Sequence, residues 1–460
     1  MFLTRKNLLN ASDRELFFLS WPIFIEFFLR VVIGNINVWM ISHYSEPAVA
    51  SVGAANQLLM LSVFVYGFIT VGTQIIIAQL IGANKRNEIK AVINTALFSS
   101  LAIGLLISLL FILFPVPLLR FMNLDAELIT IGKGYLQVFG GSLFISAITA
   151  VVVAILRTHS FTTPALLVPM TASILAVIGN YIALYSPFGL PSFGVTGLAW
   201  ASVFGNSIGL LIALMLLKKH IGFSIFSVRL NAFSGSILKS ILAYGLPSSG
   251  ESLSYQGAQV VVTMIVASLG SSVLIAKSYI MAISQFVYLV AAALSQGNQI
   301  MVGRNVGAGQ FERASKRGMR TMMIGVTASL LICIATYLFI EPIMGIFTTN
   351  QEVIAIARQV FLVEIILETV RSVNMILVGA LNASGDVKFP LICSLIVLWV
   401  ISLPFSYTLA IVVKWGLVGV WIAYALDEAL RSILMIRRWR SGVWQKKAVV
   451  TAETAEQTNH

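Results

Sequence analysis

Long apolar runs separated by short polar segments fill almost the whole chain. A helix needs about 20 apolar residues to cross the hydrocarbon core of a bilayer, and twelve runs reach that length. They lie near residues 15–42, 53–82, 91–114, 127–156, 165–186, 194–217, 236–268, 273–303, 318–340, 352–381, 388–412 and 415–436. The pattern predicts an all-α integral membrane protein with twelve transmembrane helices.

The composition changes this picture little. Apolar residues make up 58% of the chain and charged residues only 10%, whereas a soluble domain carries roughly 25% charged residues. The net charge of +12 resides in short loops between the apolar runs. It therefore indicates membrane topology rather than binding of nucleic acid, and we expect no nucleic-acid partner.

Basic residues concentrate in alternate loops and at both chain ends. This set comprises Arg5, Lys6, Lys85, Arg86, Lys90, Arg157, Lys218, Lys219, Arg229, Arg313, Lys316, Arg317, Arg320, Lys388, Arg437, Arg438, Arg440, Lys446 and Lys447. The opposite loops hold Arg120, Lys414, Glu46, Asp125, Glu127, Glu341 and Glu352. Because basic loops remain on the cytoplasmic side, both termini are predicted to be cytoplasmic.

The two halves of the chain repeat each other. Residues 72–90 (GTQIIIAQLIGANKRNEIK) match residues 297–316 (GNQIMVGRNVGAGQFERASK), and Pro22 matches Pro247 at the same offset of 225 positions (247 − 22). Six helices in each copy give both copies the same orientation. They are therefore predicted to be related by a pseudo-twofold axis along the membrane normal, as in transporters built from parallel repeats.

The repeat sets the expected domain boundaries. Residues 1–217 form an N-lobe, residues 218–235 a polar, basic cytoplasmic linker, and residues 236–444 a C-lobe. The remaining residues, 445–460, form a polar tail that we expect to be disordered in the cytoplasm.

Charged residues at bilayer depth are costly, at least about 2.5–3.5 kcal/mol each, so each needs a partner or a purpose. Glu26 and Arg30 lie four residues apart in the first predicted helix, on one face and close enough to pair. The pair either stabilises the bundle or lines a watery cavity in which Glu26 takes up a proton.

Glu251 is the counterpart of Glu26 in the second repeat, but the position that matches Arg30 is Tyr255. A carboxylate without a neighbouring cation suits a group that takes up and releases protons. The alternative is a protonated glutamic acid hydrogen-bonded within the core.

The tenth predicted helix carries Glu364, Glu368 and Arg371 at spacings of four and three residues, which places them on one face. Three charges on one face are expected to point to the bundle interior or to water. Arg371 is expected to neutralise Glu368, and a structural ion pair and a substrate site both remain open.

Charged residues near helix ends are expected to be exposed. Asp427, Glu428 and Arg431 in the last predicted helix are interpreted as a solvated face, and Lys277 as a side chain that extends to the interface. Pro22 and Pro247 interrupt the first and seventh helices at matching positions. Each is either a fixed kink or a hinge.

The strings GTQIIIAQLIGANKRNE and LNASGDVKFP, with PxxxE early in each half, resemble the signatures of the multidrug and toxic compound extrusion (MATE) family, in a bacterial subgroup. The resemblance covers essentially the whole chain. It implies a V-shaped pair of lobes around a central cleft in a bacterial inner membrane. It also implies export of amphipathic, often cationic compounds, driven by inward flow of protons or sodium ions.

The resemblance also implies roles for single residues. Glu251 corresponds to a glutamate implicated in cation coupling, Asn180 to an asparagine of an N-lobe network, and Pro22 to a proline linked to helix bending. The chain departs from the family pattern at Asn37 and Leu184, where the family has carboxylates. Coupling through Asn37 is not expected, so any coupling must involve Glu26, Glu251 or the charged cluster of the tenth predicted helix.

These arguments define one candidate set for the cation-coupling and substrate cleft: Glu26, Arg30, Asn37, Asn180, Glu251, Tyr255, Glu368 and Arg371, with Pro22 and Pro247 as hinges. We expect no metal site and no cofactor other than a proton or sodium ion as the coupling ion. The expected partners are small organic substrates and membrane lipid. A monomer suffices because the cleft lies within one chain.

Two other functions remain open. A flippase for lipid-linked intermediates would favour a strongly basic cleft, for which Arg30, Arg371 and Lys277 are the candidates, nearly balanced by acids. A membrane-embedded enzyme or receptor is the remote alternative. The four histidines are scattered, and the sequence has no HExxH, no GxSxG and no Walker-type loop.

Overall fold

The computed structural model of the chain describes residues 11–122, 124–187, 192–225, 228 and 232–449. Its α-helices are α1 (Ala11–Tyr44), α2 (Glu46–Gly82), α3 (Arg86–Leu113), α4 (Pro115–Phe121), α5 (Ala126–Gly141), α6 (Leu143–Thr158), α7 (Thr162–Tyr185), α8 (Gly194–Ile221), α9 (Gly235–Ala267), α10 (Ser271–Gly307), α11 (Phe311–Leu338), α12 (Ile340–Phe347), α13 (Gln351–Ala383), α14 (Lys388–Ile396), α15 (Leu403–Tyr407) and α16 (Gly416–Arg440). Two π-helical segments, Val397–Ser402 and Thr408–Val412, flank α15, and a 3₁₀ turn, Val443–Lys447, follows α16.

Each of the twelve predicted spans coincides, within the described residues, with one helix or with consecutive helices. The fourth span is the pair α5 and α6, which bends by 43°. The eleventh span runs from α14 through both π-helical segments. Residues 226, 227 and 229–231 of the predicted linker, and with them Arg229, lie outside the described residues.

Eight of the described helices are long and apolar enough to cross a membrane by length and composition, and the α5–α6 pair makes a ninth. Helices α9, α13 and α16 are long enough to span but are not among these. These three helices carry charged residues in their interiors, which lowers their hydropathy. The low hydropathy of α9, α13 and α16 therefore reflects polar and charged residues within these helices.

The chain divides into two compact units. We call Ile25–Ile77 with Lys85–Leu246 the N-terminal unit. We call Met1–Phe24, Ala78–Asn84 and Pro247–His460 the C-terminal unit. The first turns of α1 thus belong to the C-terminal unit and the first turns of α9 to the N-terminal unit. In both helices the change of unit falls within three residues of a proline, Pro22 or Pro247.

The N-terminal unit has an apolar core around the second half of α1 and the first half of α2. Its fully buried members include Ala55, Leu119, Leu136 and Ala199, from α2, α4, α5 and α8. The pair α7 and α8 packs closely through small residues. A Cβ at Gly205 would overlap the carbonyl oxygen of Ala172, so only glycine permits this separation of the two backbones.

The C-terminal unit has its main core between α9, α10, α12, α13 and α16. Phe361 and Trp421 are its largest fully buried side chains. Tyr255, one of the predicted site residues, packs against this core from α9.

The repeated glycines mark close contacts between helix backbones. In the C-terminal unit a Cβ at Gly82 would overlap the carbonyl oxygen of Arg304, and a Cβ at Gly307 would overlap that of Gln79. In the N-terminal unit Gly72 meets the carbonyl oxygen of Ile241 in the same way. The motif that identified the repeat therefore holds helices together and does not carry the chemistry of the site.

The chain after α16 folds back onto the C-terminal unit. Trp444 is fully buried, and its ring stacks on Trp439 with 4.2 Å between ring centroids. The Val449 amide donates to Gln79 Oε1 at 2.8 Å, and Gln79 Nε2 donates to the Ala383 carbonyl at 2.7 Å. The expectation of disorder from residue 445 is thus wrong as far as Val449. Residues 450–460 lie outside the described residues.

We predict that Trp444→Ala lowers the stability of the purified protein in detergent by about 3–5 kcal/mol, because it leaves a large cavity in a packed region. Thermal unfolding monitored by near-UV circular dichroism would show this as a lower Tm. The matched control is Trp415→Ala, whose side chain is 52% exposed and whose Tm should change little. Equal shifts for both variants would contradict the docking of the tail.

Candidate functional site

The C-terminal unit contains a cluster of charged side chains buried between three helices. We call it the C-cluster; its members are Glu251 from α9, Glu364, Glu368 and Arg371 from α13, and Asp427, Glu428 and Arg431 from α16. Helical spacing places the α13 members on one face and the α16 members on one face. These are the three long helices that are not apolar enough to be counted among the spans of the described residues.

Glu428 connects the two arginines of the C-cluster. Its Oε1 lies 2.8 Å from Arg431 Nη2 and 3.4 Å from Arg371 Nε. Arg371 also pairs with Glu368, as the sequence predicted. Arg431 makes a second short contact, 2.6 Å from Asp427 Oδ2. Asn374 completes the shell by donating to Glu428 Oε2 at 2.9 Å.

Glu251 lies at the edge of this network. Arg431 Nη1 is 3.9 Å from its Oε1, and its side chain is 15% exposed, against 4% or less for Asp427, Glu428 and Arg431. The inference that Glu251 has no neighbouring cation is therefore wrong. Its cation comes from another helix, 180 positions away (431 − 251), and comparison of spacings within α9 could not find it.

The interpretation of Asp427, Glu428 and Arg431 as a solvated face is also wrong. All three are at most 3% exposed, because α16 turns this face toward α13. Lys277 likewise does not extend to an interface. It is 6% exposed, and its Nζ donates to Thr263 Oγ1 at 2.6 Å.

Glu364 lies one turn before Glu368 on α13 and is 1% exposed. Its Oε2 accepts a hydrogen bond of 2.6 Å from Trp421 Nε1, so the core of the unit holds it in place. The C-cluster as a whole contains five carboxyl groups and two guanidinium groups. With every group ionised its formal charge is −3, which leaves room for added protons or cations.

The N-terminal unit contains a smaller charged group around Glu26. Arg30 Nη2 donates to Glu26 Oε1 at 3.1 Å, as the four-residue spacing predicted. Arg157 of α6 pairs with Glu26 Oε2. The sequence placed Arg157 in a loop, so its contact with Glu26 was missed. A long side chain at the last turn of a helix can extend inward as well as outward.

Asn37 and Asn180 are in contact, as Asn180 Nδ2 donates to Asn37 Oδ1 at 3.0 Å. Leu184, one turn beyond Asn180 on α7, is buried in the apolar core of the unit. Where the resemblance expects two carboxylates, the N-terminal unit therefore has an amide pair and a core leucine.

Pro22 and Pro247 both lie inside continuous helices, α1 and α9. Beside Pro247, Ser248 Oγ accepts a hydrogen bond of 2.9 Å from Asn382 Nδ2. The structure thus brings Glu251, Glu368 and Arg371 into one cluster. The N-terminal residues form two smaller groups, the charged one around Glu26 and the amide pair.

A match to a family model shows to which family the chain belongs. The family model MatE matches residues 22–182 and matches again at residues 247–408. The chain belongs to the MatE family. The two matched segments begin 225 positions apart (247 − 22), which is the offset of the sequence repeat. The recognition of the MATE family from the sequence and the expectation of two repeats in a helical bundle are both confirmed.

Relatives of this MatE protein cover nearly its whole length. An uncharacterized transporter, YisQ of Bacillus subtilis, is 36% identical over 95% of the chain and 96% of the relative. A probable multidrug resistance protein, NorM of Thermotoga maritima, is 26% identical over 96% of both chains.

Solved structures share the fold. A crystal structure of a MATE protein in the bent conformation has a TM-score of 0.86 at 21% identity, covering 95% of this chain and 97% of that one. An outward-facing multidrug resistance MATE transporter has a TM-score of 0.86 at 21% identity, covering 97% of this chain and 100% of that one.

We predict that Arg431→Leu destabilises this MatE protein by about 3–5 kcal/mol, because it leaves buried carboxylates without their cation. Thermal unfolding in detergent would measure the loss. Arg358→Leu is the control, since Arg358 pairs with Glu341 at a site where both side chains are more than 60% exposed. Such exposed pairs contribute about 0–1 kcal/mol. A Tm for Arg431→Leu as high as that of the control would argue against a C-cluster held together by ion pairs.

Proposed function

We propose that this chain is a secondary active multidrug exporter that exchanges amphipathic, often cationic organic compounds for protons or sodium ions by alternating access. The observation that carries the proposal is the excess of carboxyl groups in the C-cluster, buried in a helical membrane protein. Relatives of matching length are named as probable multidrug resistance proteins, which supports the same substrate class.

Burial makes the C-cluster responsive to cations. A net negative charge in a low-dielectric interior is costly, so a proton or sodium ion that enters the cluster relieves repulsion between carboxylates. A cationic substrate relieves the same repulsion. Two species that compete for one set of carboxylates exchange with each other, which is the requirement for antiport.

Glu251 is the proposed loading point of the cluster. Among the C-cluster carboxylates that form ion pairs, Glu251 has the most exposed side chain. Its contact with Arg431, at 3.9 Å, is the longest of these ion pairs. A proton or ion on Glu251 removes its attraction for Arg431, while Arg431 keeps its shorter contacts with Asp427 and Glu428. The cluster can thus change its charge at the edge without losing its interior pairs.

Alternating access also requires helices that can change shape. Pro22 and Pro247 each remove one backbone hydrogen bond from a long helix, which weakens that helix at one point. Each lies close to where its helix passes from one compact unit to the other. We propose that both act as hinges.

The charge bias of the loops supports an inner-membrane protein with both termini in the cytoplasm. The acid excess of the C-cluster disfavours binding of a phosphate-bearing lipid there, and so disfavours a flippase. We expect a monomer to be sufficient, with a proton or a sodium ion as the coupling ion and no organic cofactor.

We predict that Glu251→Gln reduces cation-driven dye export at least about tenfold, because glutamine is isosteric but cannot exchange a proton or hold an ion by charge. Purified protein in proteoliposomes should be assayed with proton and sodium gradients imposed separately, which also identifies the coupling ion. The matched control is Glu341→Gln, whose native side chain is 62% exposed. Wild-type rates for Glu251→Gln under both gradients would refute the role of Glu251.

A further inference from the structure

Helix α1 presents a polar stripe within the N-terminal unit. Glu26, Arg30, Gly34 and Asn37 are spaced by four, four and three residues, which places them on one helical face. Glu26 and Asn37 have partners on other helices, Arg157 and Asn180. The middle of the stripe, Arg30 and Gly34, is its exposed part.

Arg30 lies midway along the apolar part of α1. At 1.5 Å per residue it is about 20 Å from both Leu16 and Ser42, which is much farther than its side chain can extend. Arg30 therefore cannot place its charge at either membrane surface in the way that arginines near helix ends do.

The Arg30 side chain is nevertheless 69% exposed. A guanidinium at this depth is too costly to face hydrocarbon, so residues of this kind face a water-filled cavity or the bundle interior. The space beside it is open, since a Cβ at Gly34 would meet no atom within 4 Å. From the cost of a charge in hydrocarbon we infer that this open space is filled by water.

Arg30 is not needed to neutralise Glu26. The Glu26 and Arg157 side chains are 6% and 11% exposed and already form a buried ion pair. Arg30 adds one further positive charge to this pair and donates to Glu26 through one terminal nitrogen. Guanidinium has five N–H donors in a planar fork, which matches the two oxygens of an oxyanion such as a carboxylate or phosphate.

We propose that Arg30 is a specificity-determining residue that binds an oxyanion, above all a carboxylate, on compounds transported by this chain. The proposal rests on the proposed export function and assigns to Arg30 the recognition of a carboxylate on substrates that also carry a cationic group. The amide pair lies about 10 Å further along α1. It offers a neutral hydrogen-bonding group to the remainder of the same compound.

The first experiment measures binding to purified protein in phosphate-free detergent by fluorescence anisotropy. The probes are a rhodamine with a free carboxylate, which is a zwitterion, and its methyl ester, which is a cation. Arg30→Gln should weaken the acid about tenfold, the effect of losing one charge-assisted hydrogen bond, and leave the ester unchanged. Arg30→Lys should restore part of the affinity for the acid.

Arg120→Gln is the matched control, because it removes the same charge from another helix of the N-terminal unit and should change neither dye. If the wild type binds the acid no more tightly than Arg30→Gln, the inference is overturned. An equal loss of both dyes in Arg30→Gln overturns it as well, because the effect would then not depend on the carboxylate.

A second arm distinguishes a substrate oxyanion from a lipid headgroup. Phosphatidylglycerol is added to the wild type and to Arg30→Gln. If the wild type still prefers the acid dye over the ester, Arg30 binds the carboxylate of a substrate. A difference between the two proteins that exists only with this lipid assigns Arg30 to headgroups and overturns the inference. Transport in proteoliposomes tests the export function separately: carboxylate-selective binding without movement of either dye refutes export but not the oxyanion site.

Discussion

The cost of charge at bilayer depth is the constraint on which this structure depends. Helices α9, α13 and α16 each carry ionisable residues, and each alone would be a poor membrane span. Packed together, they place the buried Glu428 between Arg371 and Arg431, so that these three charges meet opposite ones. The ion pairs of the C-cluster therefore contribute to the packing of the C-terminal unit at the place that we propose as its chemical site. This pairing explains why five acids can persist in an otherwise apolar core.

Most of the architecture could be predicted from the sequence. Twelve spans, the repeat and the family were all predictable, because the lengths of apolar runs and the repeated motifs can be read directly from the sequence. The glycines of the repeat were visible as a motif, but their role was not. Only the contacts of Gly82 and Gly307 with carbonyl oxygens on facing helices show that they set the separation of backbones.

The site was less predictable, for a physical reason. Helical spacing finds partners on one helix, as for Glu26 with Arg30 and Glu368 with Arg371. Helical spacing cannot find partners on different helices, and these partners determine the net charge of each site. Arg157 and Arg431 were therefore placed in a loop and on a solvated face, although each is buried against a carboxylate. Long apolar helices leave many lateral arrangements open, and the sequence alone does not choose between them.

The two repeats share an arrangement of helices, but their charged residues occupy different positions. Arg157 corresponds to Asn382 at the repeat offset of 225, so Glu251 has no cation at the equivalent place and meets Arg431 instead. The N-terminal unit lacks the carboxylates that the family pattern expects, and Glu26 with Arg30 and Arg157 forms a group of net positive charge. In the proposed mechanism, coupling through carboxylates therefore takes place in the C-terminal unit. The polar stripe of α1 is then free of that task, and its exposed guanidinium is available for recognition of substrate.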